Sequence, residues 1–268
     1  MKPDGEMTFL QHLEELRWVI IKALIGIVIG AALVFFFKNI VFDVILLGPR
    51  SPGFISNRLL CRVGGYLGTT SLCINSHPAP LQNITMGGQF NMHIWVAIVG
   101  GFILAFPYVF YQFWSFVAPA LREKERKAAR GAVVVSSLLF MTGIMFGYFI
   151  LLPFSIDFLT TYSVSDLVEN HINFVSYISN VTSVVLACGL VFELPVVVYF
   201  LSSIGLVTPA LMKKFWRHAI VVILIIAAII TPPDWVSQVL VAFPLFALYM
   251  GSISISAWVV RKRERAGS

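Results

Sequence analysis

The sequence predicts an all-α polytopic membrane protein whose six transmembrane helices, several of them kinked by proline, form a curved bundle. Three observations predict it. The first is composition: 58% of the 268 residues are hydrophobic and only 12% are charged, where a soluble domain carries about a quarter charged residues. Twenty-three Phe set against thirteen acidic residues exceed what a polar surface can cover, and lipid as the solvent removes the conflict. The second is a series of apolar runs, each near the roughly 20 residues that a helix needs to cross about 30 Å of hydrocarbon. The third is charge placement. Of the 19 Lys and Arg residues, 15 fall on one side, at the two ends of the chain, near the start of the first run and in alternate connections.

In chain order, the runs cover about Trp18 to Phe37, His93 to Val117, Gly131 to Leu152, Phe174 to Leu201, Ala219 to Ile230 and Val236 to Val260. The fifth is short. It reaches both interfaces by starting earlier, near Phe215, or by thinning the bilayer locally. Lys22 lies near one end of the first run, where its stem can snorkel. The start of the chain is too acidic for the basic region of a signal peptide, and the first run lacks a small-residue cleavage site behind it, so that run is expected to stay as an anchor.

The basic residues set the sidedness. Arg17, the cluster Arg122, Lys124, Arg126, Lys127 and Arg130, then Lys213, Lys214 and Arg217, and the tail from Arg261 to Arg265 all fall on one side. Lys38, Arg50, Arg58 and Arg62, all in the first long loop, fall on the other. The positive-inside bias puts both termini in the cytoplasm. The chain then reads as one membrane domain, 1–268. It has an amphipathic cytoplasmic lead-in over 1–17, a long periplasmic loop over 38–92 and a basic cytoplasmic tail over 261–268. Basic residues scattered between apolar runs suit an anionic membrane surface and do not form the patch that nucleic acid requires.

The loop over 38–92 is rich in Gly, Pro, Ser and Asn, with an apolar stretch from Ile40 to Leu47 suited to packing on helix ends. Cys61 and Cys73 fall within it, facing an oxidising compartment. They are a candidate disulfide closing a short loop, with two free thiols as the alternative. Pro107, Pro195 and Pro244 lie inside the second, fourth and sixth runs. Each removes a backbone donor and favours a kink. Gly26 and Gly30, four apart on the first helix, present a small-residue face for a neighbouring helix.

Four groups of residues stand out from this background. Glu193 lies in Leu190-Val191-Phe192-Glu193-Leu194-Pro195, with no other charge from Asn170 to Met212. Burying a carboxylate in hydrocarbon costs several kcal/mol, so such a residue faces a polar cavity or a partner. The alternative is a packing role in the gap opened by Pro195. His12, Glu14, Glu15 and Arg17 precede the first span, with Leu13, Leu16 and Ile20 at helical spacing. Acid placed where the inner surface should be basic suits an incoming cationic peptide; an ordinary solvated helix start is the bland alternative. Two ligands at His12 and Glu15 are too few for a metal. The acids in Arg122-Glu123-Lys124-Glu125-Arg126 pair with their neighbours or point at a ligand, and sequence leaves both open. Asp234, after Thr231-Pro232-Pro233, or Thr231 itself, suits a helix N-cap, and Gln238 suits an interhelical hydrogen bond. No nucleophile triad, His-Glu-x-x-His pair, phosphate loop or spaced cysteine motif is present, so neither an enzyme, a cofactor nor a metal is expected.

Read together, these strings resemble the TatC family, the multispanning subunit of the twin-arginine (Sec-independent) protein translocase. The resemblance rests on His12-Leu13-Glu14-Glu15-Leu16-Arg17, and on Tyr111-Gln112-Phe113-Trp114-Ser115-Phe116-Val117-Ala118-Pro119-Ala120-Leu121 followed by Glu125-Arg126. Phe146-Gly147-Tyr148-Phe149 with Pro153, then Phe192-Glu193-Leu194-Pro195, and Thr231-Pro232-Pro233-Asp234 with Gln238, complete five motifs in order. The family often has a second basic residue where this chain has Val19, and many members carry a glutamate where it has Met250.

The resemblance implies a receptor and core subunit in a bacterial cell inner membrane. It would bind twin-arginine signal peptides of folded precursors on the cytoplasmic face and organise their export, driven by the proton gradient and not by ATP. The matching receptor residues are Glu15 and Glu125, with Arg17 and Phe116 beside them in the motif. Glu193 matches a carboxylate in the concave membrane face where single-span partners of the TatA/TatB type interact. Gln238 matches a polar position linked to partner contact, and self-association is expected. A small proton-coupled transporter is the alternative. It would account for Glu193 and the proline-bent helices, but not for acids on the cytoplasmic rim, and such transporters tend to show an internal repeat that this chain lacks.

Overall fold

A computed structural model describes residues 9–69, 72–76, 80–117, 129–165, 167, 170–231 and 234–267. The first helix, α1 (Phe9–Phe36), leads into a π-helical turn, Ile40–Leu46, and a short 3-10 turn, Gly48–Arg50. Then come α2 (Ile55–Tyr66), a two-residue strand β1 (Leu81–Gln82) and α3 (Gly88–Val117). The next helix, α4 (Ala129–Phe146), passes through a π-helical turn, Gly147–Leu151, into α5 (Leu152–Thr161). Strand β2 (Ile172–Asn173) opens α6 (Phe174–Val191), followed by α7 (Leu194–Ser203), α8 (Pro209–Lys214), α9 (Trp216–Ile230) and α10 (Trp235–Gly267).

Among the described residues, five stretches are long and apolar enough to cross a membrane: Leu13–Phe36, Gly88–Phe116, Gly131–Thr161, Phe174–Ser203 and Trp235–Lys262. The shorter apolar helix α9 adds to them, in keeping with six spans. At 1.5 Å per residue its 15 residues cover only about 22 Å of the roughly 30 Å of hydrocarbon. The earlier start near Phe215 is half realised, because α8 and α9 meet there with a break in the helix.

The three span prolines do not all act alike. Pro107 and Pro244 lie inside the continuous helices α3 and α10. Pro195 stands in the first turn of α7, where a missing N–H costs nothing. The fourth span is therefore two helices joined at Phe192 and Glu193, not one helix with a bend.

Glycines set the closest helix contacts. In the antiparallel α1–α3 pair, a Cβ on Gly30 would lie 2.7 Å from the Gly101 carbonyl oxygen, and one on Gly101 would lie 2.4 Å from the Ala31 nitrogen. Gly26 takes the edge of the Tyr108 ring. The crossing of α4 and α6 uses the same device. A Cβ on Gly143 would lie 2.6 Å from the Cys188 carbonyl oxygen, and Gly189 lies against Phe140 and Ile144. Around these crossings packs one core that includes Phe106, Phe140, Leu151, Leu152, Ile178 and Val184, with the Phe106 and Phe140 rings stacked at 3.6 Å. Helices α7 and α10 pair through a Ser202–Ser256 hydroxyl hydrogen bond of 2.8 Å, and Tyr249 of α10 donates to the Met212 carbonyl of α8.

The long loop is a structured cap. Tyr148 donates to the Ile45 carbonyl and Tyr177 to the Leu46 carbonyl, each at 2.8 Å, which pins the π-helical turn over the helix ends. Asn57 of α2 donates to the carbonyls of Pro49 and Ser51. Asn75 takes a positive φ of 52°; its amide donates to Asp157 and its side chain to the Pro153 carbonyl, both on α5. Strands β1 and β2 pair in parallel, Leu81 with Ile172 and Gln82 with Asn173. The Cys61 and Cys73 sulfurs are bonded across a sequence separation of 12, tying α2 to the segment that docks on α5. Replacing both with serine is expected to lower stability by about 2–3 kcal/mol, the loop-closure value for a ring this short. Thermal unfolding of the purified protein with and without reductant checks it, because reductant should shift the parent and leave the double variant unmoved.

Candidate functional site

The residues singled out in the sequence fall into three places. The first is the end of the molecule where α1 begins and α3 finishes. Helix α1 carries Glu14 and Arg17 exposed and Glu15 half-buried. The antiparallel register fixed by Gly30 against Gly101 and Gly26 against Tyr108 runs Glu15 and Arg17 down to the same end as Phe116. That end of α3 is anchored by Trp114, buried with its ring 6.4 Å from Tyr199 and 6.3 Å from Phe200 of α7. Gln112 is buried beside it in the sequence, and Phe116 is half-buried. Glu125 lies outside the described residues, as do Arg122, Lys124, Arg126 and Lys127. Glu15 is half-buried on a helix that packs backbone-close against α3 at Gly30, and a carboxylate suits the planar fork of a guanidinium.

The second place is the break between α6 and α7. Glu193 is 8% exposed, and the Ser136 hydroxyl of α4 donates to its Oε2 at 2.8 Å. Its Oε1 has no hydrogen-bond partner among the described residues. Neighbours of both partners, Val135, Pro195 and Val196, line an apolar groove of about 220 Å³ that Tyr199 and Trp258 complete. Removing the serine donor takes away the hydroxyl that holds Oε2. Ser136→Ala is therefore expected to cost about 1–3 kcal/mol, and much less in a Glu193→Leu background, where no carboxylate remains. A double-mutant cycle read by thermal unfolding decides it; additive losses would contradict the pairing.

The third place is the turn between α9 and α10, at the opposite end of the spans from Glu15. Asp234 is 7% exposed, and its Oδ2 accepts from the Ser237 backbone amide at 2.7 Å, which makes it the N-cap of α10. Thr231 instead donates back to the Ala227 carbonyl and closes α9. Gln238 donates to the Leu224 carbonyl at 3.3 Å and bridges the two helices. The structure thus groups Glu15, Arg17 and Phe116 at one end and leaves Glu193, and the pair Asp234 and Gln238, apart from them. Among the described residues, no group of three His, Cys, Asp or Glu side chains is placed to hold a metal ion.

Sequence reasoning missed Ser136 and the Gly143–Gly189 crossing. Ser136 is a small polar residue in an apolar run, a signal that names no partner 57 positions away. The glycines at 143 and 147 do repeat at helical spacing and would have served.

Comparison with known proteins places this geometry. The model of the family described as Sec-independent protein translocase protein (TatC) matches residues 11–244. The Sec-independent protein translocase protein TatC of Blattabacterium sp. subsp. Periplaneta americana is 40% identical over 97% of this chain and 98% of its own length. That of Aquifex aeolicus is 34% identical over 96% and 98%. A crystal structure of the twin-arginine translocase receptor TatC aligns with a TM-score of 0.70 and 33% identity, covering 93% of this chain and 99% of the other. A second, obtained in DDM, aligns with a TM-score of 0.72 at 34% identity over 91% and 99%.

Proposed function

This chain belongs to the TatC family of Sec-independent protein translocase proteins, and from that premise we propose that it is the receptor and core subunit of a twin-arginine translocase. It binds twin-arginine signal peptides of folded precursors on the cytoplasmic face of the inner membrane and organises their export at the expense of the proton gradient. Both termini lie in the cytoplasm, which puts Glu15 and the connection containing Glu125 on that face and the loop over 38–92 in the periplasm. The chain acts as a single membrane domain over 1–268.

The observation that carries the reading is the placement of Glu15. It is half-buried, on a helix packed backbone-close against α3 at Gly30, at the end of the pair where Phe116 lies. In this reading Glu15 and Glu125 each take one guanidinium of the Arg-Arg pair in a bidentate, charge-assisted contact. Phe116 offers apolar area to the residues that follow the pair, and Arg17 orients the carboxylates. Glu193, with one oxygen uncommitted, meets single-span partners of the TatA/TatB type, and Gln238 belongs to a second partner contact. Copies of the chain associate with one another.

The test is export in cells that lack their own receptor subunit and supply this chain with its cognate single-span subunits. A folded reporter bearing an Arg-Arg signal should reach the periplasm, and a Lys-Lys signal should reduce export at least about tenfold, the loss expected when a bidentate pair becomes a point charge. Equal export of both reporters, or none while membrane vesicles of the same chain carry out proton-linked solute uptake, would overturn it.

A further inference from the structure

We propose that α2, in the long loop, is an interfacial helix that lays its exposed apolar stripe into the bilayer leaflet on the loop's side, with Arg58 and Arg62 on the phosphates of lipid headgroups. The helix is amphipathic in an unusual sense, because its protein-facing side is the polar one. Asn57 and Gly64 are buried toward the rest of the cap. The opposite side presents Ile55, Leu59 and Tyr66, which are 62%, 61% and 91% exposed, with Val63 between them and Leu67 just beyond the end. Spacings of four, four and three put these residues on one stripe of a helix. Nothing in the protein covers that stripe among the described residues, and water is a poor solvent for it.

The occupant follows from position and charge. Phe54, at the start of α2, sets its ring 5.5 Å from Tyr148 and 5.6 Å from Phe149. Both lie in the stretch Gly131–Thr161 that crosses the membrane, so the helix begins at the membrane boundary. The exposed apolar surface of α1 runs on through Phe36 and Phe37 into the π-helical turn at Ile40 and Val44, and Tyr148, which packs on Phe54, also donates to the Ile45 carbonyl of that turn. Arg58 and Arg62, four apart, flank the stripe on one side and are exposed, and their guanidinium groups have no hydrogen-bond or ion-pair partner among the described residues. An apolar face edged by cations is the pattern that partitions into a headgroup layer. The Cys61–Cys73 bond and the Asn75 contacts to α5 hold α2 in this orientation, so its ordering is complete before lipid arrives.

The inference does not rest on the receptor reading. Its test places a photoreactive benzoylphenylalanine at position 59, on the stripe, or at position 65, where Gly65 is exposed with open space around it. The purified full-length protein is then reconstituted into vesicles of phosphatidylethanolamine with phosphatidylglycerol, or of phosphatidylcholine alone. Mobility on non-reducing gels confirms in each variant that the Cys61–Cys73 bridge has formed and the cap is folded. The expected result is lipid adduct at position 59 in several-fold excess over position 65. Arg58→Gln with Arg62→Gln should cut that adduct roughly fivefold in the anionic vesicles and leave it unchanged in phosphatidylcholine. Equal lipid adduct at the two positions, or adduct at position 59 to a second copy of the chain, overturns the proposal. Insensitivity to the arginine substitutions in anionic vesicles overturns the headgroup contact.

Discussion

Replacing Gly101 with leucine is expected to drive α1 off α3 and cost the chain both stability and peptide binding. A Cβ at this position would meet the Ala31 nitrogen at 2.4 Å, the Ala31 Cα at 2.7 Å and the Ile27 carbonyl oxygen at 2.8 Å. All three are backbone atoms, so no rotamer change relieves the clash and the helix axes must separate. Overpacking a core costs about 1–3 kcal/mol where side chains can shift. Here they cannot, and the loss should lie at or beyond the top of that range. Because α3 is the main support of α1, the same separation unseats Glu15 at the far end of the pair. Thermal unfolding in detergent should show the variant much weakened, with Gly251→Leu as the control, since a Cβ there meets nothing within 4 Å. A Gly101→Leu protein as stable as its parent would mean that the two helices are not in backbone contact.

The second large effect is on binding. Glu15→Gln keeps the size and shape of the side chain and removes its charge, so it tests the carboxylate and not the packing. A hydrogen bond to a charged group contributes about 1.5–3 kcal/mol, and 1.4 kcal/mol is a factor of ten, so affinity for an Arg-Arg signal peptide should fall on the order of 10- to 100-fold. Affinity for a Lys-Lys peptide should change far less, because it lacks the bidentate contact to begin with. Glu14→Gln, at the exposed neighbour, should leave both peptides within about twofold, the scale of a screened surface charge. Fluorescence titration of the protein in lipid nanodiscs separates these cases. Equal losses from the two glutamine variants would reduce Glu15 to part of a diffuse acidic rim.

Much of the architecture was legible because a membrane span is a compositional object. Residues such as those in Gly131–Thr161 must be apolar over a fixed length whatever they pack against. What the spans do to one another was less legible. The break at Glu193 is a case in point: proline at 195 reads equally as a bend within one helix or as the first turn of a new one, and only the turn at Phe192 and Glu193 decides. The glycine crossings were half legible. Gly26 and Gly30 were recognisable as a small-residue face, but their partners Tyr108 and Gly101 sit on a helix about 70 to 80 residues away, and any of five helices had similar claims. The loop over 38–92 showed in sequence only its turn-rich Gly, Pro, Ser and Asn content, an apolar stretch suited to helix ends and a candidate disulfide. Its order comes from long-range hydrogen bonds, Asn75 to Asp157 and Tyr177 to Leu46, which leave no local pattern.

The candidate site divides in the same way. Acid before the first span and a carboxylate inside the fourth are visible as charge in the wrong solvent. Asp234 and Gln238 stood out for the same reason, yet in the fold they have local employment, one capping α10 and the other bridging α9 to α10. Charge or polarity in an apolar context therefore marks a position as special without saying whether the fold or a ligand requires it. Asp234 and Glu193 each leave one oxygen without a partner among the described residues; they differ in that Asp234 accepts from the amide of Ser237 in the helix it caps, whereas Glu193 reaches across to Ser136 of another span.

The most direct measurement of the central claim is site-specific photo-crosslinking from position 15 in intact membranes that also hold the single-span subunits. A photoreactive residue there should label a signal peptide bearing the Arg-Arg pair. Labelling should fall at least about tenfold when the pair is Lys-Lys, in line with the affinity difference. Equal labelling by the two peptides, or none while the same membranes still export folded reporter, would contradict the assignment of the receptor site to the end where α1 meets α3.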